Sequence, residues 1–172
     1  MTKILETERL LLRRLEPGDL DALARLYADP EVRRYYPEGT LDCAQTKDEL
    51  DWFVAGDPDH PDLGLWATIL KAEDRFIGRC GLIPWTIDGV AEVEVAYLID
   101  KAYWGRGLGA EAARGLVRHA VDNLGLARLI AQIDPANEAS ARTARAAGLA
   151  FERTATVEGS SFALYAVGRA AP

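Results

Sequence analysis

The apolar positions in the first third of the chain predict one strand and two helices. Residues 7–15, TERLLLRRL, have the apolar content of a strand. An amphipathic helix is predicted over residues 19–29, and Asp19 is a candidate for its N-cap. A second helix is predicted over residues 41–54. The chain is therefore expected to open with a strand followed by two helices.

Three apolar runs follow, with only short polar connections between them. They are LGLWATIL (63–70), RFIGRCGLI (75–83) and AEVEVAYLI (91–99). The connections, KAEDR and the residues around Gly89, are rich in charge or contain glycine, as turns typically are. Two hairpins in succession predict an antiparallel meander.

The second half of the chain alternates helices and strands. A helix is predicted from a glycine-rich stretch to about Asn123. The later elements are a strand over 127–133, a helix over 137–147, and strands over 151–157 and 161–167. This order implies at least one parallel strand pair with a right-handed crossover. The predicted fold class is therefore α/β, a mixed sheet with helices packed on it.

Length and composition favour one globular domain spanning residues 1–172. The chain is 49% hydrophobic and 27% charged, and no apolar run reaches the roughly 18 residues that a membrane span needs. The first residues, MTKILETERLLLRR, carry charges where a signal peptide would need an apolar stretch. We therefore expect a cytoplasmic protein with no membrane partner.

The charged and metal-binding residue types exclude two further classes. A formal net charge of −7 argues against nucleic acid as a partner, because phosphate binding needs a basic surface. Cys43 and Cys80 lack the spacing of metal ligands, and His60 and His119 have no cluster of ligands around them in the sequence. We expect no metal site.

The stretch YWGRGLGAEAARGLVRHA, residues 103–120, places Gly105, Gly107 and Gly109 just before a helix. A P-loop is excluded because no Lys-Ser or Lys-Thr pair follows the glycines. The dinucleotide fingerprint G-x-G-x-x-G/A matches in letters, but it belongs to the first βαβ unit of a parallel sheet, and here it follows a meander. Two interpretations stay open: a structural turn, or a pyrophosphate held by backbone N–H groups at the helix N-terminus.

YLIDKAYWGRGLGAEAARGLV resembles the acetyl-coenzyme A motif of the GCN5-related N-acetyltransferases (GNAT), in the RimJ/RimL-like branch of ribosomal-protein N-terminal acetyltransferases. The resemblance extends over nearly the whole chain. It includes ETERLLLRRLEPGDLDALARLYADPEV, RFIGRCGL, AEVEVAYLI and DPANEASARTARAAGLAFE, in that order. It implies the GNAT fold: a mostly antiparallel sheet splayed open in the middle, with helices on both faces and acetyl-CoA in the gap.

The resemblance also implies which residues bind acetyl-CoA. Backbone groups of Tyr97, Leu98 and Ile99 would bind the pantetheine and the acetyl oxygen, and the glycine loop would bind the pyrophosphate. The cofactor-binding residues expected on this basis are Tyr97, Leu98, Ile99, Trp104, Gly105, Arg106, Gly107, Leu108, Gly109, Ala110, Asn137, Ser140 and Arg142. The sequence departs from the common pattern at Ala146, where Lys is frequent, and at Leu149, where an aromatic residue is usual.

Acetyl transfer to an amine requires a base, because amines are mostly protonated at pH 7. Glu92 and Glu94 alternate onto one face of the fourth predicted strand, where a solvated face is the simplest interpretation. The resemblance singles out Glu94 as the general base. It also places Ser140 near the sulfur as the candidate acid, although Asn137 and Ser140 would equally serve as helix caps. Trp85 ends a strand where an acceptor pocket would border it, or packs in the core.

The expected function is an acetyl-CoA-dependent N-acetyltransferase that moves an acetyl group directly to a primary amine. A protein N-terminal α-amine is the leading acceptor. A polyamine, an amino acid or an aminoglycoside is the alternative. Two rivals from other classes are a non-catalytic acyl-CoA sensor and a nicotinamide-dependent oxidoreductase. The sequence marks no oligomer interface, so a homodimer stays open.

Overall fold

The computed structural model describes residues 2–168, and these residues form one eight-stranded sheet and four α-helices. The strands are β1 (Lys3–Glu6), β2 (Leu10–Arg14), β3 (Gly64–Leu70), β4 (Arg75–Ile87), β5 (Val90–Ile99), β6 (Arg128–Ile133), β7 (Ala150–Val157) and β8 (Ser160–Gly168). The helices are α1 (Leu20–Tyr27), α2 (Cys43–Ala55), α3 (Leu108–Asp122) and α4 (Glu138–Ala146).

The strands lie in the order β1-β2-β3-β4-β5-β6-β8-β7. Every neighbouring pair is antiparallel except β5 and β6, which are parallel. The predicted meander is therefore confirmed as β3-β4-β5, and the predicted parallel pair as β5-β6. A parallel connection needs a crossover, and α3 supplies it.

The sheet opens between β5 and β6. β4 and β5 pair over ten residue positions, whereas β5 and β6 pair only at Glu94 and Ile130. Beyond that point the two central strands separate towards the carboxyl end of β5. The splayed sheet expected from the resemblance is confirmed.

Helices cover both faces of the sheet. Leu108 and Leu116 of α3 pack with β-strand residues such as Val95 in the largest buried cluster. Leu23 of α1 and Leu50 of α2 pack on the opposite face. Burying one Leu side chain stabilises a protein by roughly 1.5–3 kcal/mol, so apolar burial on both faces of the sheet stabilises the fold.

Strands β1 and β4 differ from the sequence prediction. β1, at the sheet edge beside β2, was not predicted, because its four residues carry two charges. β4 continues through Pro84 to Ile87, beyond the predicted end. Proline is tolerated there because β3 ends opposite Leu82, so the missing N–H of Pro84 has no neighbouring strand to meet.

Asp19 occupies the N-cap position of α1, as predicted, but its side chain makes no cap hydrogen bond to that helix. Its carboxylate instead accepts two hydrogen bonds from Arg13, both at 2.7 Å. This bidentate ion pair fixes the start of α1 to β2.

Candidate active site

Glu94 lies at the last residue pair before β5 and β6 separate. Trp85 Nε1 donates to Glu94 Oε2 over 2.7 Å. Gln132 donates its backbone N–H to Oε1 at 3.4 Å and its side-chain amide to Oε2 at 3.3 Å. The carboxylate is therefore oriented by three N–H donors from the two strands that flank β5.

The surroundings of Glu94 raise the pKa of its carboxyl on balance. Burial raises the pKa of this carboxyl above its ordinary value of 4.5. The hydrogen bonds from Trp85 and Gln132 and the positive charge of Arg79 oppose that rise without cancelling it. A carboxyl tuned upward from 4.5 is closer to the working pH of a general base.

Glu92 and Glu94 lie on the same face of β5 but have different surroundings. The prediction that this face is solvated is wrong. Glu92 is buried and accepts from Arg128 Nε at 3.0 and 3.1 Å. Arg128 also donates to both carboxylate oxygens of Glu152 on β7, at 2.8 and 2.9 Å. Glu92 is thus held by the charged side chain of Arg128, whereas the hydrogen-bond donors to Glu94 are all uncharged.

The backbone of β5 has unpaired groups that face the gap. Asp100 donates its backbone N–H to Ile77 of β4 over 2.7 Å. In an antiparallel ladder such pairs alternate, so Leu98 also directs its backbone groups to β4, and Tyr97 and Ile99 direct theirs towards β6. If the parallel ladder continued, the Gln132 N–H would donate to the Val95 carbonyl, and the Tyr97 N–H would donate to the Gln132 carbonyl. Gln132 N–H instead binds the Glu94 carboxylate, and the ladder ends.

Trp104 partly occupies this row of groups. Its indole Nε1 donates to the carbonyl of Ile99 over 2.8 Å, while about half of the residue remains exposed. The contact ties the start of the glycine loop to the end of β5. Tyr97 N–H, Tyr97 C=O and Ile99 N–H are then the groups on this edge that a bound molecule could pair with.

Two of the three loop glycines adopt backbone conformations that glycine favours. Gly105 and Gly107 both have φ +73°. A Cβ at Gly105 would meet no atom within 4 Å, so the backbone of this residue faces open space. Strain from a side chain there would cost about 1–2 kcal/mol.

Gly109 serves a different purpose, because it lies inside the first turn of α3. A Cβ there would approach Thr143 and Ile99 at ordinary contact distances of 3.8–3.9 Å. The first helical hydrogen bond runs from Glu111 N–H to the Gly107 carbonyl over 3.0 Å. The N–H groups of Leu108, Gly109 and Ala110 therefore have no carbonyl within the helix to bind.

Arg9 and Glu111 brace the glycine loop. Glu111 accepts from Thr7 Oγ1 at 2.6 Å, from Arg9 N–H at 2.8 Å and from Arg9 Nε at 2.6 Å. Arg9 Nη1 also donates to the carbonyl of Arg106 over 3.0 Å. Burial raises the pKa of Glu111, but these hydrogen bonds more than reverse the effect and lower it below 4.5. The Arg106 guanidinium is half-exposed, 3.9 Å from Glu73.

On the other side of the gap, the start of α4 holds the remaining predicted residues. Asn137 caps α4, with Oδ1 accepting from Ser140 N–H over 3.1 Å. Ser140 Oγ lies 3.1 Å from the hydroxyl of Tyr97, which is itself 2.9 Å from the Ser140 carbonyl. Arg142 is exposed on α4 and makes no ion pair within residues 2–168.

A buried group of aromatic and cationic side chains on the α1–α2 face was not predicted. Arg79 of β4 is only 4% exposed and donates to the hydroxyls of Tyr27 at 2.9 Å and Tyr36 at 3.1 Å. Tyr27 in turn donates to Glu49. The sequence signal was available, since Arg79 interrupts an apolar run, but its partners lie 43 and 52 residues away.

Trp85 was predicted to border the acceptor. The structure places its indole on Glu94, and the aromatic ring packs beside a buried cluster that contains Ile87 and Ile130. Within the described chain, all members of that cluster belong to strands.

Residues 2–168 carry neither a metal-binding cluster nor a helix that could span a membrane. These residues contain no group of three or more His, Cys, Asp or Glu side chains that could hold a metal ion. None of the helices described is long and apolar enough to cross a membrane.

Comparison with known proteins agrees with this geometry. The model of the acetyltransferase (GNAT) domain family matches residues 9–150. The uncharacterized protein YkkB of Bacillus subtilis is 32% identical over 151 residues, which cover 87% of each chain.

Solved structures show the same fold. An acetyltransferase from Agrobacterium tumefaciens superposes with a TM-score of 0.81 at 26% identity, covering 98% of this chain and 95% of that one. A ribosomal-protein-S5-alanine acetyltransferase from Vibrio fischeri superposes with a TM-score of 0.77, covering 98% and 97%, and its 20% identity shows the fold alone. The chain described here belongs to the GNAT superfamily of N-acetyltransferases.

Proposed function

We propose that this N-acetyltransferase uses acetyl-CoA to acetylate a primary amine by direct attack, and that the acceptor is a protein N-terminal α-amine. The observation that carries the proposal is the Glu94 carboxylate, desolvated and held by three N–H donors where β5 and β6 part. The RimJ/RimL-like motifs of the sequence support the α-amine. The structural neighbour named as a ribosomal-protein-S5-alanine acetyltransferase has the same fold as this chain, which is compatible with an α-amine acceptor.

The residues present fit acetyl-CoA, which supplies an activated acetyl thioester when bound. The α3 N-terminus offers unpaired amides at Leu108, Gly109 and Ala110, and anions bind favourably at such termini. Gly105 exposes backbone that no side chain covers. Arg106 and Arg142 are exposed cations suited to phosphate oxygens.

The remaining roles fall to groups along the gap. Tyr97 and Ile99 offer backbone N–H groups there, of the kind that stabilise a developing oxyanion. Leu98 directs its groups to β4, so we assign it no backbone contact with the ligand. Glu94 takes a proton from the amine. Ser140 lies at the edge of the gap, and we propose that its hydroxyl contacts the sulfur.

Two alternatives remain in view. A small amine such as a polyamine, an amino acid or an aminoglycoside would use the same Glu94 chemistry. A non-catalytic acyl-CoA sensor would keep the glycine loop without turnover. The Glu94 arrangement favours catalysis, because a sensor gains nothing from a desolvated, oriented carboxylate beside the open ladder.

The test is free-thiol release from acetyl-CoA across a panel of amines. The panel contains peptides beginning with Ser or Ala, polyamines, amino acids and aminoglycosides, with Glu94→Gln run in parallel as the chemical background. We expect turnover with the peptides above that background. Turnover with a small amine alone would overturn the acceptor assignment. Acetyl-CoA binding without thiol release for any amine would favour the sensor.

A further inference from the structure

We propose that Tyr97 is a positioning residue whose hydroxyl switches between two acceptors on α4 and thereby turns the Ser140 hydroxyl proton towards the coenzyme A sulfur. This inference rests on the proposed function. It assigns the Tyr97 side chain a role in addition to the backbone contacts considered above.

The geometry gives Tyr97 two acceptors for a single proton. Its hydroxyl oxygen is 2.9 Å from the Ser140 carbonyl and 3.1 Å from Ser140 Oγ. If Tyr97 donates to the carbonyl, the Ser140 proton points at Tyr97. If Tyr97 donates to Oγ, the Ser140 proton is free to point elsewhere. Both arrangements use the same heavy-atom positions, so the switch needs only hydroxyl rotation.

Neither arrangement leaves a buried group unsatisfied. The Ser140 carbonyl lies within α4, where the N–H of Ala144 is its helical partner, so it does not depend on Tyr97. The surroundings also keep the Tyr97 proton in place. Burial, and next the negative charge of Glu94, raise the pKa of the phenol, against the opposing effect of Ser140. Tyr97 therefore acts as a neutral donor and does not become a tyrosinate.

A hydroxyl on the first turn of a helix otherwise has a competing partner. Ser side chains commonly bond back to a helical carbonyl three or four residues earlier, and for Ser140 the first helical carbonyl is that of Asn137, three residues earlier. Tyr97 holds Ser140 Oγ away from that alternative. A hydroxyl that accepts a hydrogen bond from Tyr97 is also polarised and becomes a better donor itself.

The chemistry balances without a proton leaving either hydroxyl. The amine nitrogen forms the new bond to the acetyl carbon, the carbon–sulfur bond breaks with its electron pair on sulfur, and Glu94 holds the amine proton. Ser140 donates a hydrogen bond to the departing thiolate, and Tyr97 donates one to Ser140. The free thiolate then equilibrates with solvent.

The first test needs no turnover. At pH 9, where part of the coenzyme A thiol is ionised, the affinities of coenzyme A and desulfo-coenzyme A are measured by calorimetry for wild type, Tyr97→Phe, Ser140→Ala and the double variant. Tyr165→Phe is the matched control, because its hydroxyl contacts Arg145 at 3.4 Å, also on α4 but away from Ser140. We expect both single variants to lose roughly 3- to 10-fold of the preference for the sulfur-containing ligand, and the double variant to lose no more.

The second test is kinetic, with the acceptor found by the amine panel. Tyr97→Phe and Ser140→Ala should lower kcat by a similar factor of roughly 3 to 10 with little change in the KM for acetyl-CoA, and their effects should not multiply in the double variant. Multiplicative effects, or Tyr97→Phe retaining the full sulfur preference, would overturn the role of Tyr97 while leaving the proposed function intact. Failure of wild type to bind coenzyme A at all would overturn both.

Discussion

Trp85 controls the ionisation of Glu94, and removing its indole N–H gives a direct test. Trp85→Phe keeps an aromatic ring in the strand and deletes the 2.7 Å hydrogen bond to Oε2. That bond stabilises only the ionised carboxylate, so its loss raises the pKa of Glu94 further above 4.5.

The magnitude follows from the remaining donors. A hydrogen bond to a charged group contributes roughly 1.5–3 kcal/mol. The two bonds from Gln132 are long, at 3.3 and 3.4 Å, and shorten to recover part of the loss. Because of that recovery we take a net loss just below this range, about 1.4 kcal/mol, which corresponds to an upward shift of about one pKa unit.

The assay is a carbon-13 NMR titration of the glutamate carboxyl resonances. The Glu94 signal is assigned as the one missing in Glu94→Gln. Its midpoint should lie above 4.5 in wild type and about one unit higher in Trp85→Phe. Trp52→Phe is the matched control, because Trp52 is 55% exposed and packs edge-to-face on Phe53 rather than against Glu94.

An unchanged or lowered Glu94 midpoint in Trp85→Phe would refute this reasoning. It would mean that the indole N–H does not stabilise the carboxylate in solution, and that burial, Gln132 and Arg79 set its ionisation without Trp85. A shift of the same size in Trp52→Phe would also contradict it, since that variant leaves the hydrogen bond intact.

Three further predictions concern the loop and its supports. Gly105→Ala and Gly89→Ala place a Cβ in open space at a similar positive φ, so each should lower the free energy of unfolding by about 1 kcal/mol. Only Gly105→Ala should weaken acetyl-CoA binding in a calorimetric titration. Equal affinities of the two variants for acetyl-CoA would argue against the loop as a ligand site. Glu111→Gln should destabilise the protein at pH 7 by about 1–3 kcal/mol in urea unfolding, and because the folded pKa of Glu111 is lowered from 4.5, this difference should shrink as the pH falls below that value; a difference that grows on acidification would reverse the assigned sign. Arg79→Met removes the donor to two phenols and should lower the free energy of unfolding by about 1–3 kcal/mol, and each kcal/mol lowers Tm by roughly 2–4 °C. An unchanged Tm would show that the buried guanidinium adds nothing to stability.

Local sequence patterns predicted seven of the eight described strands, missing only β1, and placed the glycine-rich turn before α3. Apolar runs of eight and nine residues divided by short polar turns predict a meander, because such a short turn joins adjacent strands. The break between β5 and β6 is a different matter. The break depends on which groups Gln132 binds. The splayed sheet was expected only from the family resemblance, and the sequence did not point to Gln132.

The different roles of Glu92 and Glu94 show where single-sequence reasoning ends. Alternation places both side chains on one face of β5, and the structure agrees. Their surroundings differ because of the neighbouring strand β6, where Arg128 and Gln132 lie on either side of Ile130. That register joins residues 36 and 38 positions apart, and periodicity within one strand carries no information about it.

The central claim is that Glu94 accepts the proton of the attacking amine, and the most direct test compares Glu94→Gln with wild type over pH 6–10. With the acceptor identified by the amine panel, kcat/KM is measured for both proteins. General-base catalysis is worth roughly 100- to 10,000-fold, so we expect a loss of at least about 100-fold near pH 7. That loss should narrow as the pH approaches the ordinary amine pKa of about 8–10, because free amine then needs no base. Activity of Glu94→Gln within about threefold of wild type at every pH would contradict the claim.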